Sequence, residues 1–252
     1  MKQHNRIHLQ VFLRGLRLAF NEFIFPSVCT CCGDALSERD RYLCDTCLTF
    51  RFDMARQTDP LLLPDCVRSS FALWNFDKGE VLQDLLHMIK YQNIPQAGIE
   101  LGQELGRQWL ASGNATPNLV QKVLTCKEPK TGIYKQMCLV PVPLHQSKFR
   151  KRGYNQAEKI ALGVTEQTEI PLVKDHSVIK TRKSISQTGL QLKQREKNVR
   201  GSFEVKIPQE IGNKIVFIID DVFTTGATTF ELAYELDRAG AQEIHILTVA
   251  IA

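Results

Sequence analysis

Two unbroken apolar runs near the C-terminus, KIVFIID from Lys214 and IHILTVAIA from Ile244, constrain the fold most. Neither alternates with polar residues, so each reads as a strand buried on both faces. Between them ATTFELAYELDRAGA has the apolar spacing of a helix and meets a stop at Gly240. Strand, helix and strand in that order predict a parallel sheet covered by helices on both faces, an α/β architecture. Earlier segments fit the same scheme. MCLVPVPL reads as a strand that must stop at Pro141 and Pro143. NQAEKIALGV follows as a helix, with Asn155 as N-cap and Glu158 three residues later. FALWNF reads as a short strand. GEVLQDLLHMIKYQ and GIELGQELGRQWL read as helices, the first with Val81, Leu82, Leu85, Leu86 and Ile89 on one side.

The chain of 252 residues is 43% hydrophobic and 23% charged, enough for one large core and an appendage. The division predicted is a helical lead over 1–25, a cysteine module over 26–50 and a large domain over 60–252. RQTDPLLLPD forms the connection. In the lead, Phe12, Leu16, Phe20 and Phe23 recur at helical spacing, while Arg14, Arg17 and Glu22 argue against a membrane span. Docking on the protein's own body and contact with a membrane surface both stay open for this helix. No small-residue cleavage site follows, so the cytoplasm is the default location. A net charge of +5 supports no global polyelectrolyte argument, but bases outnumber acids from Lys148 to Lys206, a set suited to anions.

The stretch VFIIDDVFTTGATT sets two carboxylates, Asp220 and Asp221, at the end of a predicted parallel strand, where ligands of open α/β sheets sit. Neighbouring carboxylates repel and lose hydration unless they gain partners. A vicinal diol offers donors to both. Thr224, Thr225, Gly226, Ala227 and Thr228 then turn into a helix N-terminus, where backbone N–H groups and the helix dipole favour an anion. Gly226 permits close backbone approach. Acid pair plus phosphate turn describes a ribose 5-phosphate. The chain has no G-x-x-x-x-G-K-[ST] and no strand-linked G-x-G-x-x-G, so neither a P-loop nor a dinucleotide site is supported.

VFIIDDVFTTGATT resembles the phosphoribosyl pyrophosphate (PRPP) signature of type I phosphoribosyltransferases. More narrowly, the chain resembles the ComF family of competence-related, phosphoribosyltransferase-like proteins. CTCCG and LCDTC match its cysteine module, and LLHMIKYQ its Leu–Ile–Lys helix, with Lys90 as the lysine. LVPVPLHQSKFRKRGYNQA matches its Pro–Val–Pro strand and the Arg–Gly–aromatic–Asn–Gln segment after it. RKSISQTGLQLKQREKNVRGSF matches its hood. The likeness covers nearly all the chain after Phe23.

The resemblance implies a type I phosphoribosyltransferase-like sheet with an N-terminal zinc module. It makes the loop bearing Lys148, Arg150, Lys151, Arg152, Gly153 and Asn155 the pyrophosphate side of the pocket. A plain solvated basic loop is the alternative. It makes Arg182, Gln187, Arg195 and Asn198 members of a hood that closes over the reacting carbon and excludes water. The implied chemistry is displacement of Mg²⁺-pyrophosphate from C1 of ribose by an unidentified nucleophile, with Asp220 and Asp221 as the catalytic pair. His145 is equally a surface residue or a base.

Cys29 and Cys32 are spaced C-x-x-C, as are Cys44 and Cys47, which suits four thiolates around a structural zinc ion. Cys31 is spare or a competitor for Cys29. Cys66, Cys126 and Cys138 lack partners in sequence, and Cys138 reads as a core residue. Two functions stay open. One is an enzyme transferring phosphoribose from PRPP with Mg²⁺. The other is a non-catalytic accessory protein that binds single-stranded DNA alongside other competence proteins. There the basic region meets phosphates, Phe149 or Tyr154 stacks on bases or else belongs to the core, and the PRPP pocket is a ligand or regulatory site.

Overall fold

The computed structural model describes residues 27–36, 41–76, 81–92, 94–112, 136–182 and 199–252. The predicted helical lead, Cys126, Gln187, Arg195 and Asn198 lie outside these residues.

Four strands form one parallel sheet: β1 (Ser69–Asn75), β2 (Met137–Pro141), β5 (Ile215–Phe223) and β6 (Glu243–Ile251). Their order is β1-β6-β5-β2. A separate antiparallel ladder joins β3 (Val178–Lys180) to β4 (Phe203–Val205). The helices are α1 (Asp45–Phe50), α2 (Val81–Tyr91), α3 (Pro95–Ala111), α4 (Gln146–Arg152), α5 (Gln156–Thr168) and α6 (Ala227–Arg238).

The two faces of the sheet bury separate sets of side chains, which is why β5 and β6 are apolar throughout. Phe217 and Ile219 of β5 share one core with Leu85 of α2, Leu101 of α3 and Ile160 of α5. Val216 and Ile218 share the other with Leu232 and Leu236 of α6 and Phe203 of β4. The helix ends follow local chemistry. The Asn155 side chain accepts from Ala157 N at 3.2 Å and starts α5. Gly240, at φ +86°, follows the end of α6.

Helices α3 and α5 touch backbone to backbone through glycines. A Cβ on Gly102 would lie 1.9 Å from the Ile160 carbonyl oxygen, and one on Gly163 would lie 2.0 Å from that of Ile99. Neither site has room for a methyl group.

The connection does more than span a gap, because it covers the outer edge of β1. Met54, just before the connection, bridges Trp74, and within the connection the Gln57 amide replaces a backbone unit. Its Nε2 donates to Ala72 O at 3.0 Å, and its Oε1 accepts from Ala72 N at 3.1 Å. An exposed row of unpaired strand groups invites association with other chains, and this contact closes it.

Candidate functional site

Sequence reading ends the β5 strand at the acid pair. The structure corrects this, since β5 continues to Phe223 and both carboxylates lie within it. β2 stops earlier. Its Pro141 is opposite Ile219, and Val142 N donates to Ile219 O at 2.9 Å. Asp220 and Asp221 therefore stand on the part of β5 that has lost its β2 neighbour, at the carboxyl end of the parallel sheet.

Consecutive strand residues alternate faces, and the two acids meet different surroundings. Asp221 forms an ion pair with Lys90, which the last turn of α2 delivers. Burial opposes the charge on Lys90, but the Asp221 carboxylate and its hydrogen bond outweigh burial and raise the lysine pKa. Burial also raises Asp220, and the Asp221 charge adds to it, pushing Asp220 up to about 7 against the pull of Lys90 and Lys180. Lys180, on β3, is half-buried with its Nζ 4.8 Å from the Phe203 ring centroid. Burial and the neighbouring Lys148 charge bring it down to about 8.

Both lysines escaped assignment from sequence. Lys90 was visible only as part of the family resemblance, and Lys180 carried no signal beyond its place in a basic stretch. Their grouping with the acids depends on elements far apart in the chain.

Downstream of β5, Thr224 is exposed, Thr225 half-buried and Gly226 buried. Thr225 Oγ1 accepts from Ala227 N at 3.4 Å, and α6 begins at Ala227. Thr228 is half-buried in the first turn. Gly226 caps the helix at φ +73°, a conformation that favours glycine. A Cβ there would strike the Phe230 ring at 2.4 Å and Phe223 at 2.9 Å, so internal packing alone requires this glycine.

The predicted basic loop is corrected to a helix, α4, capped by His145. The His145 Nδ1 accepts from Ser147 N at 3.2 Å, a structural task. Lys148 is half-buried, Arg150 and Lys151 are exposed, and Gly153 ends the helix at φ +80°. Arg152 donates to Gln156 Oε1 at 2.8 Å and lies over the Tyr91 ring at 5.2 Å. Asn155 is buried, its Nδ2 donating to Val142 O at 3.0 Å. Of the two readings of Tyr154, stacking or core, the structure corrects the first and bears out the second. The residue is 7% exposed, and its hydroxyl donates to the Ile89 carbonyl. Phe149 remains exposed at 45%. Arg182 is exposed beside Gly201 at the base of the segment predicted as a hood.

The second site is the cysteine cluster. The sulfurs of Cys29, Cys32, Cys44 and Cys47 all lie within 4.8 Å of one another. Zinc–sulfur bonds of about 2.3 Å in a tetrahedron put sulfurs about 3.8 Å apart, and Cys32 and Cys44 are separated by 3.7 Å. The donor set fits zinc. Gly33 at φ +80° closes the first turn, its N–H donating to Cys29 O at 2.8 Å. Cys44 caps α1, and Cys47 N donates to its sulfur at 3.4 Å. Burial opposes the Cys29 thiolate, but backbone N–H groups of Cys44, Cys32 and Cys31 outweigh it and bring the thiol down to about 6. Cys31 is outside the cluster, and burial with the Cys29 charge pushes it up to about 12. Cys138 is buried in β2 as predicted.

The cluster is tied to the main body. Tyr42 N and Leu43 N donate to the buried Glu100 carboxylate of α3 at 2.9–3.1 Å. Leu43, Cys47 and Leu48 share the core of α2 and α3. Among the described residues no helix is long and apolar enough to cross a membrane.

No protein-family model matches the chain. Among curated proteins it is similar to Competence protein F of Haemophilus influenzae, with 31% identity over 113 residues, 44% of this chain and 49% of that protein. The match thus spans about half the length of that relative. It is similar to DNA utilization protein YhgH of Escherichia coli at 25% identity, over 88% of this chain and 95% of that protein. Competence protein ComFC of Streptococcus pneumoniae is 28% identical over 113 residues, 46% of its length.

Proposed function

We propose, from its likeness to competence and DNA utilization proteins, that the chain is of the ComF type and binds PRPP at the end of β5 in the service of DNA uptake or use. The observation that carries this reading is the acid pair. Asp220 and Asp221 stand past the end of β2, among Lys90 and Lys180 and just before the turn into α6. The carboxylates hold the ribose hydroxyls, and the turn from Thr224 to Thr228 holds the 5′-phosphate. Lys148, Arg150 and Arg152, with Gly153 and Asn155 shaping their turn, form the pyrophosphate side. Arg182, Gln187, Arg195 and Asn198 belong to a hood over it. Magnesium enters with PRPP and would neutralise the leaving pyrophosphate. The four clustered cysteines hold a structural zinc, whose binding can supply about 10–16 kcal/mol towards folding.

A second reading is favoured by the exposure of Phe149, Arg150 and Lys151 together on α4 and by relatives named for DNA utilization. Here the protein is an accessory factor for single-stranded DNA, and PRPP is a regulatory ligand. Calorimetry of the zinc-loaded protein with PRPP and Mg²⁺, then with oligonucleotides, tests both. PRPP binding followed by turnover with a nucleobase supports the transferase. PRPP binding without turnover, joined to oligonucleotide binding, supports the accessory role. Absence of PRPP binding refutes the pocket assignment.

A further inference from the structure

Three consecutive residues at the end of α2 each have a partner from elsewhere in the fold. The Ile89 carbonyl accepts from the Tyr154 hydroxyl. The Lys90 ammonium pairs with Asp221. The Tyr91 ring lies 5.2 Å from the Arg152 guanidinium carbon. Tyr154 is buried in the core that contains Ile89. Arg152 is steadied by the buried Gln156. Both groups come from one turn, Arg152–Gly153–Tyr154, where Gly153 at φ +80° reverses the chain between α4 and α5.

A helix's last turn has carbonyls without intrahelical partners and frays readily. A lysine there carries a flexible stem, while an ion pair removed from water needs accurate geometry. The Tyr154 hydroxyl satisfies one of those carbonyls beside Lys90, and Arg152 holds the next residue. We infer that the Arg152–Gly153–Tyr154 turn is a clamp that positions Lys90 against Asp221 and so links the basic helix α4 to the acid pair. Its consequence for ligand rests on the PRPP reading. A diphosphate competes with Tyr91 for the Arg152 guanidinium, loosens the end of α2 and lets Lys90 leave Asp221. The freed carboxylate oxygen then accepts from a ribose hydroxyl.

The clamp can be tested without ligand. In ¹H–¹⁵N spectra of the zinc-loaded full chain, the Lys90 ammonium should give a sharp signal, assigned by its loss in Lys90→Met. Tyr154→Phe, which removes only the hydroxyl, should broaden that signal beyond detection. An unchanged signal overturns the clamp. Tyr91→Ala, at a half-exposed position, serves as a second variant and should broaden it too; a signal that survives both substitutions also overturns the inference. With PRPP and Mg²⁺, Tyr154→Phe should tighten binding by up to about tenfold, the worth of the one hydrogen bond that ligand no longer has to work against. That gain should vanish in a Lys90→Met background, and a loss of affinity in Tyr154→Phe, or a gain that persists in that background at full size, overturns the clamp. A wild-type protein that binds no PRPP counts against the ligand reading alone, and the ammonium spectra still decide the clamp.

Discussion

Lys90 and Asp221 join the last turn of α2 to the end of β5 by an ion pair. Asp220, one residue earlier, has no such ion pair among the described residues, and burial with the Asp221 charge raises its pKa although its Oδ1 accepts from Asp221 N. The adjacent acids are therefore unequal. In the proposed site both accept from ribose, and charge-assisted hydrogen bonds contribute roughly 1.5–3 kcal/mol each. Asp220→Asn with Asp221→Asn should remove most PRPP affinity in calorimetry, and retained affinity would refute the ribose assignment. Asp221→Asn alone should also destabilise the free protein, because it leaves Lys90 half-buried without its anion.

Asp220→Asn should do the opposite to stability. An unfolded aspartate loses its proton near pH 4, while burial and Asp221 keep Asp220 protonated in the fold until about pH 7. Between those values the folded state holds the extra proton, so this group's contribution to stability declines as pH rises. The asparagine variant lacks that decline. It should melt above wild type at pH 8, with the difference closing towards pH 5. Parallel melting curves at both pH values would show that Asp220 ionises normally. A gain in stability joined to a loss of ligand is the mark of a group kept for function.

Much of the scaffold was legible because its cause was local. Continuous apolar runs marked β5 and β6 as strands buried on both faces, and Asn155 and Gly240 marked helix ends. The C-x-x-C pairs were legible for the same reason, since each lies within one turn. The site's cations were not. Lys90 reaches Asp221 only because α2 lies against the sheet, and Lys180 approaches through the β3–β4 ladder. Tyr154 sits among polar residues that suggest a surface, yet the turn at Gly153 directs it into the core. The backbone contact of α3 with α5 hid in glycines that a hydrophobic pattern ignores.

That contact makes a stability prediction. Gly163→Ala should be tolerated poorly, because its Cβ falls 2.0 Å from Ile99 O, in a helix that must then move away. Overpacking of this kind costs about 1–3 kcal/mol. In urea titrations its midpoint should fall clearly below wild type with the slope unchanged. A midpoint equal to wild type would mean that α3 and α5 separate at little cost.

The metal site should hold about one zinc per chain. Elemental analysis of reduced protein should find it lost in Cys29→Ser, Cys32→Ser, Cys44→Ser and Cys47→Ser, and retained in Cys31→Ser. Loss in Cys31→Ser with retention in Cys29→Ser would reassign the ligands. Glu100→Gln should keep the four thiolates but release zinc faster to a chelator. It replaces one carboxylate acceptor of the Tyr42 and Leu43 N–H groups with a donor. A buried group left without its partner costs about 1–3 kcal/mol.

The basic helix separates the two functional readings. Arg150 and Lys151 are exposed, whereas Arg152 is engaged with Gln156 and Tyr91. If α4 meets single-stranded DNA, the exposed pair carries the contact, and binding is tolerant of sequence and weakened by salt. Each phosphate neutralised contributes about −0.7 to the slope of log affinity against log salt, so Arg150→Ala with Lys151→Ala should reduce that slope by about 1.4. Fluorescence anisotropy with a labelled oligonucleotide over a salt series measures it. On the accessory reading PRPP affinity stays nearly constant in this double variant, because Lys151 and Arg150 face outward. On the transferase reading the same variant loses PRPP affinity through Arg150 and leaves any DNA slope unaltered. A wild-type protein with no oligonucleotide binding at low salt removes direct DNA contact and leaves the pocket to a small-molecule acceptor.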